Sequence, residues 1–132
     1  MIIKTKSIRD AKKDTDGIRL LVARYPSRVK RTHYDLWYPA LAPSQYLLQK
    51  WKNREITWED FESEYRREMS RSDKAQAHLE TLREISRSIT NPNPSFITLL
   101  CYEAERNPHC HRHILKNIIE GRKQIHKYYY NE

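Results

Sequence analysis

The chain has 132 residues, enough for one hydrophobic core but not for two, so we expect a single domain over residues 1–132. Lys and Arg exceed Asp and Glu by eight charges, which favours anionic partners, either a small phosphate-bearing molecule or nucleic acid. The apolar runs of the chain are too short to cross a membrane, and its start lacks a signal-peptide pattern. Two cysteines are too few for a disulfide scaffold. We therefore expect a cytoplasmic protein that does not bind membranes.

Two strands are predicted near the N-terminus. Residues 1–8 alternate weakly between apolar and polar side chains, and turn residues at 14–17 precede an apolar, branched run at 18–22. The second strand should end at Tyr25 and Pro26, because proline has no N–H to donate to a neighbouring strand. The basic and aromatic stretch 27–38 has no clean period, and we expect an ordered loop there with at most one helical turn.

Three helices are predicted in the middle of the chain. Ser44 is a helix-capping residue type at the start of the first, and Thr57 and Asp60 form a near capping box at the start of the second. The third runs from Ser72 or Asp73 to Ile89, before two prolines. The apolar positions of these helices are Leu47, Leu48 and Trp51, then Trp58, Phe61, Tyr65 and Met69, then Leu79, Leu82, Ile85 and Ile89.

The C-terminal part predicts one more strand and one more helix. The continuous apolar run 96–102 is typical of a central strand covered on both faces, and the apolar residues of 109–125 share one helical side. The order of two strands, helices, a strand and a helix indicates an α/β fold, with a short, mostly parallel sheet flanked by helices.

Several motifs resemble one known family. They are Arg24-Tyr25-Pro26-Ser27-Arg28, Leu41-Ala42-Pro43-Ser44, Leu99-Leu100-Cys101-Tyr102-Glu103 and Cys110-His111-Arg112-His113. In this order, along nearly the whole chain, they resemble the domain-of-unknown-function 488 (DUF488) family, which includes the YeaO-like proteins. The Cys-His-Arg motif is closer to the branch with both cysteines than to the YeaO-like members. The resemblance implies an α/β fold and supplies no substrate, so whether the chain is an enzyme, which cofactor it uses and its oligomeric state stay open.

An anion site is predicted at the carboxyl ends of the strands, where ligands bind in open α/β sheets. Arg24 and Arg28 follow the second strand, and Arg112 lies at the start of the last helix. Guanidinium groups bind two oxygens of a phosphate or carboxylate, and the free N–H groups of a helix N-terminus add positive electrostatic potential. A small anionic ligand is the leading hypothesis; structural roles for Arg24 and Arg112 are the alternative.

Sulfur and imidazole groups near the last helix offer a second hypothesis, a metal- or thiol-dependent enzyme. Cys101, His109, Cys110 and His113 carry metal-ligand atoms, although their spacing matches no known zinc pattern. Catalytic candidates are Cys101 or Cys110 as a nucleophile and Glu103 with His111 or His113 as an acid and base pair. Against a phosphatase-like thiolate, neither cysteine has an arginine at the usual spacing. Buried core thiols and a helix-capping histidine cluster are the simpler reading.

Nucleic-acid binding is the third hypothesis. The loop 28–38 interleaves cations with aromatic residues, a combination that contacts phosphates and stacks bases, and Lys30, Arg31, Tyr34 and Trp37 are its candidate contacts. No nucleic-acid-binding motif accompanies them, so a solvated basic surface is the favoured interpretation of this stretch.

Overall fold

A computed structural model of the chain describes residues 2–25, 31–88, 96–103 and 106–121. Their secondary structure is, in chain order, β1 Ile2–Ser7, β2 Ile18–Leu21, β3 Leu36–Trp37, α1 Gln45–Lys52, α2 Trp58–Arg71, α3 Asp73–Ser88, β4 Phe96–Cys101 and α4 His111–Ile119. Turns of 3-10 helix lie at Asp14–Asp16, Arg31–His33 and Pro39–Leu41. None of the helices described is long and apolar enough to span a membrane.

The four strands form one parallel sheet in the order β1-β4-β2-β3. The predicted α/β class and the central position of the 96–102 strand are therefore confirmed. Leu20 pairs with Leu99 and Leu21 with Leu100 in adjacent register. Because β2 and β4 are parallel neighbours, their carboxyl ends lie side by side, and the helices between them form the crossover that parallel pairing requires.

The structure differs from the prediction in the end of the second strand, in the loop 27–38 and in the bounds of the last helix. The second strand ends at Leu21, although the Val22 N–H still donates to the Leu100 carbonyl. The stretch expected to be a loop contains β3, which pairs with β2 and whose only two residues are too few to show a period. The last helix begins at His111 instead of 109, after Cys110 as its N-cap. It ends at Ile119 instead of at 125, because residues 120 and 121 form a turn. Ile89, the predicted end of the third helix, lies outside the described residues.

The helices pack against one face of the sheet. Leu20, Ile97 and Leu99 meet a core built from buried residues of all four helices, among them Leu47, Phe61, Tyr65, Met69, Leu79, Leu82, Ile114 and Leu115. Alternate strand residues point the other way, and Leu21 and Leu100 form a second cluster with both cysteines. The cysteines thus lie in the cluster at the carboxyl end of the sheet.

Local signals set the helix starts as predicted. The Ser44 hydroxyl accepts from the Leu47 N–H, and Thr57 and Asp60 form a reciprocal capping box. These caps satisfy N–H groups that a helix start leaves without intrahelical partners. They fix where α1 and α2 begin, and so where Trp51 and Trp58 meet each other at the edge of the core, with ring centroids 5.0 Å apart.

Candidate functional site

A cavity of about 480 Å³ lies where β2 and β4 end, between these strands, α1, α2 and the start of α4. Its walls include Arg24 and Tyr25 after β2, Trp51 and Lys52 of α1, Trp58 of α2, and Cys101, Glu103, His109, Cys110 and His111. The volume falls in the range of small-molecule sites, and the lining combines aromatic rings with a few polar groups, as such sites do. It is the place where the sequence predicts a ligand, at the carboxyl ends of parallel strands.

Arg24 is fixed on the wall of this cavity. Its Nε and Nη2 donate to the Pro43 carbonyl at 3.2 and 2.8 Å, which ties the end of β2 to the turn before α1. No carboxylate of the described residues lies within ion-pair distance of this guanidinium. Arg24 also borders a neighbouring surface depression of about 630 Å³, which contains Arg71 but neither cysteine.

Cys101, Cys110 and His111 meet at one end of the cavity. Cys101 ends β4, Cys110 caps α4 and His111 is the first residue of that helix. Both Sγ atoms lie 4.0 Å from His111 Nδ1, and the three candidate ligand atoms lie within 4.8 Å of one another. All three residues are buried, with 3 to 7% of each surface exposed, yet each forms part of the cavity wall.

A backbone carbonyl sets the tautomer of His111. Its Nε2 lies 2.8 Å from the Val22 carbonyl oxygen, which can only accept a hydrogen bond, so Nε2 carries a proton. In the neutral ring, Nδ1 is then unprotonated and directs its lone pair to the two sulfurs. The protein therefore presents an imidazole nitrogen and two thiol sulfurs to one point.

The two cysteines differ in their acidity. The hydrogen bond from Cys110 lowers the pKa of Cys101 far below its ordinary value, against burial, and His111 and the Tyr102 N–H lower it further. The same hydrogen bond and burial raise the pKa of Cys110. Cys101 is therefore the more acidic thiol of the pair.

Arg112 lies behind the cluster and is not part of the cavity wall. It is fully buried, and its Nη1 donates to the Glu103 carbonyl at 2.9 Å and contacts Cys110 Sγ at 3.6 Å. The structure thus brings Arg24 and Arg112 to the same end of the sheet, Arg24 in the cavity and Arg112 in the protein interior. Arg28, the third predicted anion-binding residue, lies outside the described residues.

The other predicted site residues are more dispersed. His109 stacks on Trp58 with centroids 4.8 Å apart, and His113 Nε2 lies 3.1 Å from the Asn107 carbonyl, so neither belongs to the cluster. Glu103 is exposed on the cavity wall, and its carboxylate accepts from Asn107. The histidine that lies with the two cysteines is His111, not the predicted metal ligands His109 or His113.

The predicted nucleic-acid contacts are only partly described. Lys30 and the side chain of Arg31 lie outside the described residues. Tyr34 packs against the second cluster, and Trp37 donates its indole N–H to the Ala23 carbonyl at 2.8 Å while 37% of its surface stays exposed. Both aromatic residues thus contribute to the edge of the fold.

Sequence reasoning missed three contributors to the site. Trp51 and Trp58 were predicted only as apolar helix positions, and their place at helix ends facing the strand ends is the signal that could have found them. Val22 acts through its carbonyl, which no side-chain pattern reveals.

One of three comparisons with known proteins gave a match. A family model described as the Active DUF488-N3 subclade matches residues 3–123, which include all four strands from Ile3 onward, all four helices and the whole cavity. Searches of the curated proteins and of the solved structures gave no significant match.

Proposed function

This chain belongs to the DUF488 family, in the subclade described as active, and from this premise we propose that it is an enzyme for a small anionic molecule. The substrate enters the 480 Å³ cavity, Arg24 holds its anionic group, and Cys101, Cys110 and His111 act on it. One observation carries the proposal: a single cavity contains both an anchored guanidinium and a buried group of two thiols and an imidazole.

Arg24 has the properties of an anion-binding residue. A guanidinium has five N–H donors, so its two bonds to Pro43 hold the group on the cavity wall and leave other donors for a ligand. Lys52 adds a second positive charge to the wall, against the single carboxylate of Glu103. Preorganised cations at a partly enclosed site favour phosphate or carboxylate over a neutral group.

The aromatic walls narrow the substrate class further. Trp51 and Trp58 meet edge to face beside the cavity, and Tyr25 and Tyr102 line it near the strand ends. An aromatic lining favours an organic ligand over a bare inorganic anion. The substrate class is therefore a small organic anion, of which nucleoside monophosphates are one example.

Thermal-shift and calorimetric titrations with inorganic phosphate, a nucleoside monophosphate and an aromatic carboxylate, each at low and high salt, test this function. We expect at least one organic anion to bind and to raise the melting temperature in both salts. Arg24→Gln should weaken that binding about 10-fold to 100-fold, the value of charge-assisted hydrogen bonds worth about 1.5–3 kcal/mol.

Arg71→Gln is the matched control, because Arg71 lines the neighbouring 630 Å³ depression and is not part of the wall of the 480 Å³ cavity. This variant should bind like the wild type. An equal loss in both variants, or binding only of oligonucleotides that disappears at high salt, would contradict the cavity as the site and favour a basic surface. Compounds that bind are then followed by mass spectrometry for conversion; binding without conversion of any of them contradicts the enzymatic part.

A further inference from the structure

We infer that Cys101, Cys110 and His111 together bind one divalent cation of the zinc type at the end of the cavity. The inference gives the proposed enzyme a cofactor and relies on the proposed function only for the role of the ion. The site itself follows from the geometry of three side chains.

The donor set and its dimensions suit such an ion. Two thiolates and one imidazole are soft and borderline ligands, which select zinc over magnesium or calcium. Zn–S bonds of about 2.3 Å and Zn–N bonds of about 2.0 Å at a tetrahedral angle place sulfur about 3.5 Å from nitrogen. Both Sγ atoms lie 4.0 Å from Nδ1, about 0.5 Å farther than this spacing, and the three ligand atoms lie within 4.8 Å of one another, so a modest inward shift brings them to an ion.

The surroundings of the three ligands point the same way. A metal-bound histidine generally donates its other ring N–H to a carbonyl or carboxylate, and His111 has this bond to Val22 before any metal is bound. Each sulfur also has an N–H donor: the Tyr102 backbone for Cys101, and the Arg112 backbone and guanidinium for Cys110. Such donors stabilise thiolates.

Charge explains why a cation belongs in this buried position. A divalent ion bound by two thiolates and a neutral imidazole forms a group without net charge, which lowers the cost of burial. Metal binding to thiols releases their protons, so both sulfurs bind the ion as thiolates. The fully buried Arg112 then lies against a sulfur that carries negative charge.

The cavity gives the ion a function. Structural zinc sites have four protein ligands, whereas catalytic sites have three and leave one position to water or substrate. The described residues supply three, and all of them border the cavity. An ion there would polarise an oxygen of the bound molecule or lower the pKa of a bound water, with Arg24 on the same wall.

Metal analysis of the full chain tests the site. After exposure to zinc chloride and removal of the unbound ion, we expect about one zinc per chain. Cobalt chloride should give the thiolate-to-cobalt charge-transfer absorption and the visible bands of a tetrahedral ion. Cys110→Ser and His111→Gln should each lower the affinity for zinc at least 10-fold.

His113→Gln is the matched control, since His113 lies on the same helix and contacts Asn107 instead of the sulfurs. It should keep wild-type zinc affinity; an equal loss in this variant would overturn the assignment to His111. Absence of both zinc retention and the cobalt band in the unaltered chain would overturn the site, whatever the variants do. The anion titrations use no metal, so failure of the proposed function registers separately from failure of the zinc site.

Discussion

The Tyr65 side chain connects three parts of the protein next to the cavity. Tyr65 is fully buried in α2, its hydroxyl donates to the Leu41 carbonyl at 2.6 Å, and its ring meets His111 edge to face. Burial raises its pKa well above its ordinary value of 10.0, so the hydroxyl keeps its proton and stays a donor. One phenol thus links α2, the turn before α1 and the histidine of the site.

Tyr65→Phe tests this link. The substitution removes one oxygen and leaves the buried Leu41 carbonyl without that donor, which costs about 1–3 kcal/mol in the free energy of unfolding. Urea denaturation followed by circular dichroism measures the loss. Tyr46→Phe is the control, because Tyr46 is 70% exposed and should change stability by less than about 0.5 kcal/mol. Equal stability of wild type and Tyr65→Phe would show that this hydrogen bond contributes nothing net.

At the scale of elements, the connection into β2 depends on a close approach of two backbones. Gly17 follows the 3-10 turn Asp14–Asp16 with φ +65° and ψ −135°, a conformation that favours glycine. A Cβ atom there would lie 2.1 Å from the Phe96 carbonyl oxygen at the start of β4. The turn therefore packs against the sheet only because this residue has no side chain.

Gly17→Ala should lower the free energy of unfolding by roughly 2–6 kcal/mol, the sum of backbone strain and overpacking. Gly121→Ala is the matched variant: Gly121 also has a positive φ, but nothing lies within 4 Å of its missing Cβ, so only the strain of about 1–2 kcal/mol applies. Chemical denaturation of both variants gives the comparison. Equal losses would mean that the contact with Phe96 costs nothing.

For the whole molecule, one buried residue, Asp16, connects three strands through its carboxylate and its backbone carbonyl. Asp16 accepts from Lys6 of β1 at 3.0 Å and from Arg19 of β2 at 2.5 Å, and its carbonyl accepts from Thr98 of β4 at 2.6 Å. Burial raises its pKa, but the Lys13 N–H and the Lys6 and Arg19 side chains lower it more, so the net pKa lies below 3.8. Removal of this charge leaves Arg19 buried without its counterion.

Acid unfolding should report this group. Because the folded pKa is below the unfolded value of 3.8, the stabilisation by Asp16 is fully present above that value and is lost as the pH falls through the folded pKa. Asp16→Asn should cost about 3–5 kcal/mol at neutral pH, with a smaller difference from wild type as the pH falls. Urea unfolding between neutral and strongly acidic pH measures both. The exposed Asp14→Asn in the same turn should match the wild type; a constant wild-type to Asp16→Asn difference would contradict the ionic role.

The sequence by itself determined the α/β class, the central strand, the three middle helices and the end of the sheet where polar side chains collect. These features follow from spacings and caps within one element, which the chain specifies locally. Ser44 and Thr57 are examples, because each bonds an N–H three residues away. The sequence pattern did not predict the short β3, because this two-residue strand is defined by its pairing with β2.

Only the tertiary structure decided which of the clustered side chains meet. Cys101 and Cys110 lie together because β4 ends where α4 begins. His111 lies with them, and His109 and His113 do not, because the Val22 carbonyl after β2 holds the His111 ring beside the two sulfurs. Arg24 and Arg112 were both predicted to bind the anion, but Arg24 lies on the cavity wall and Arg112 is buried in the interior. Contacts between residues far apart in the chain depend on how strands and helices pack, and no local pattern encodes them.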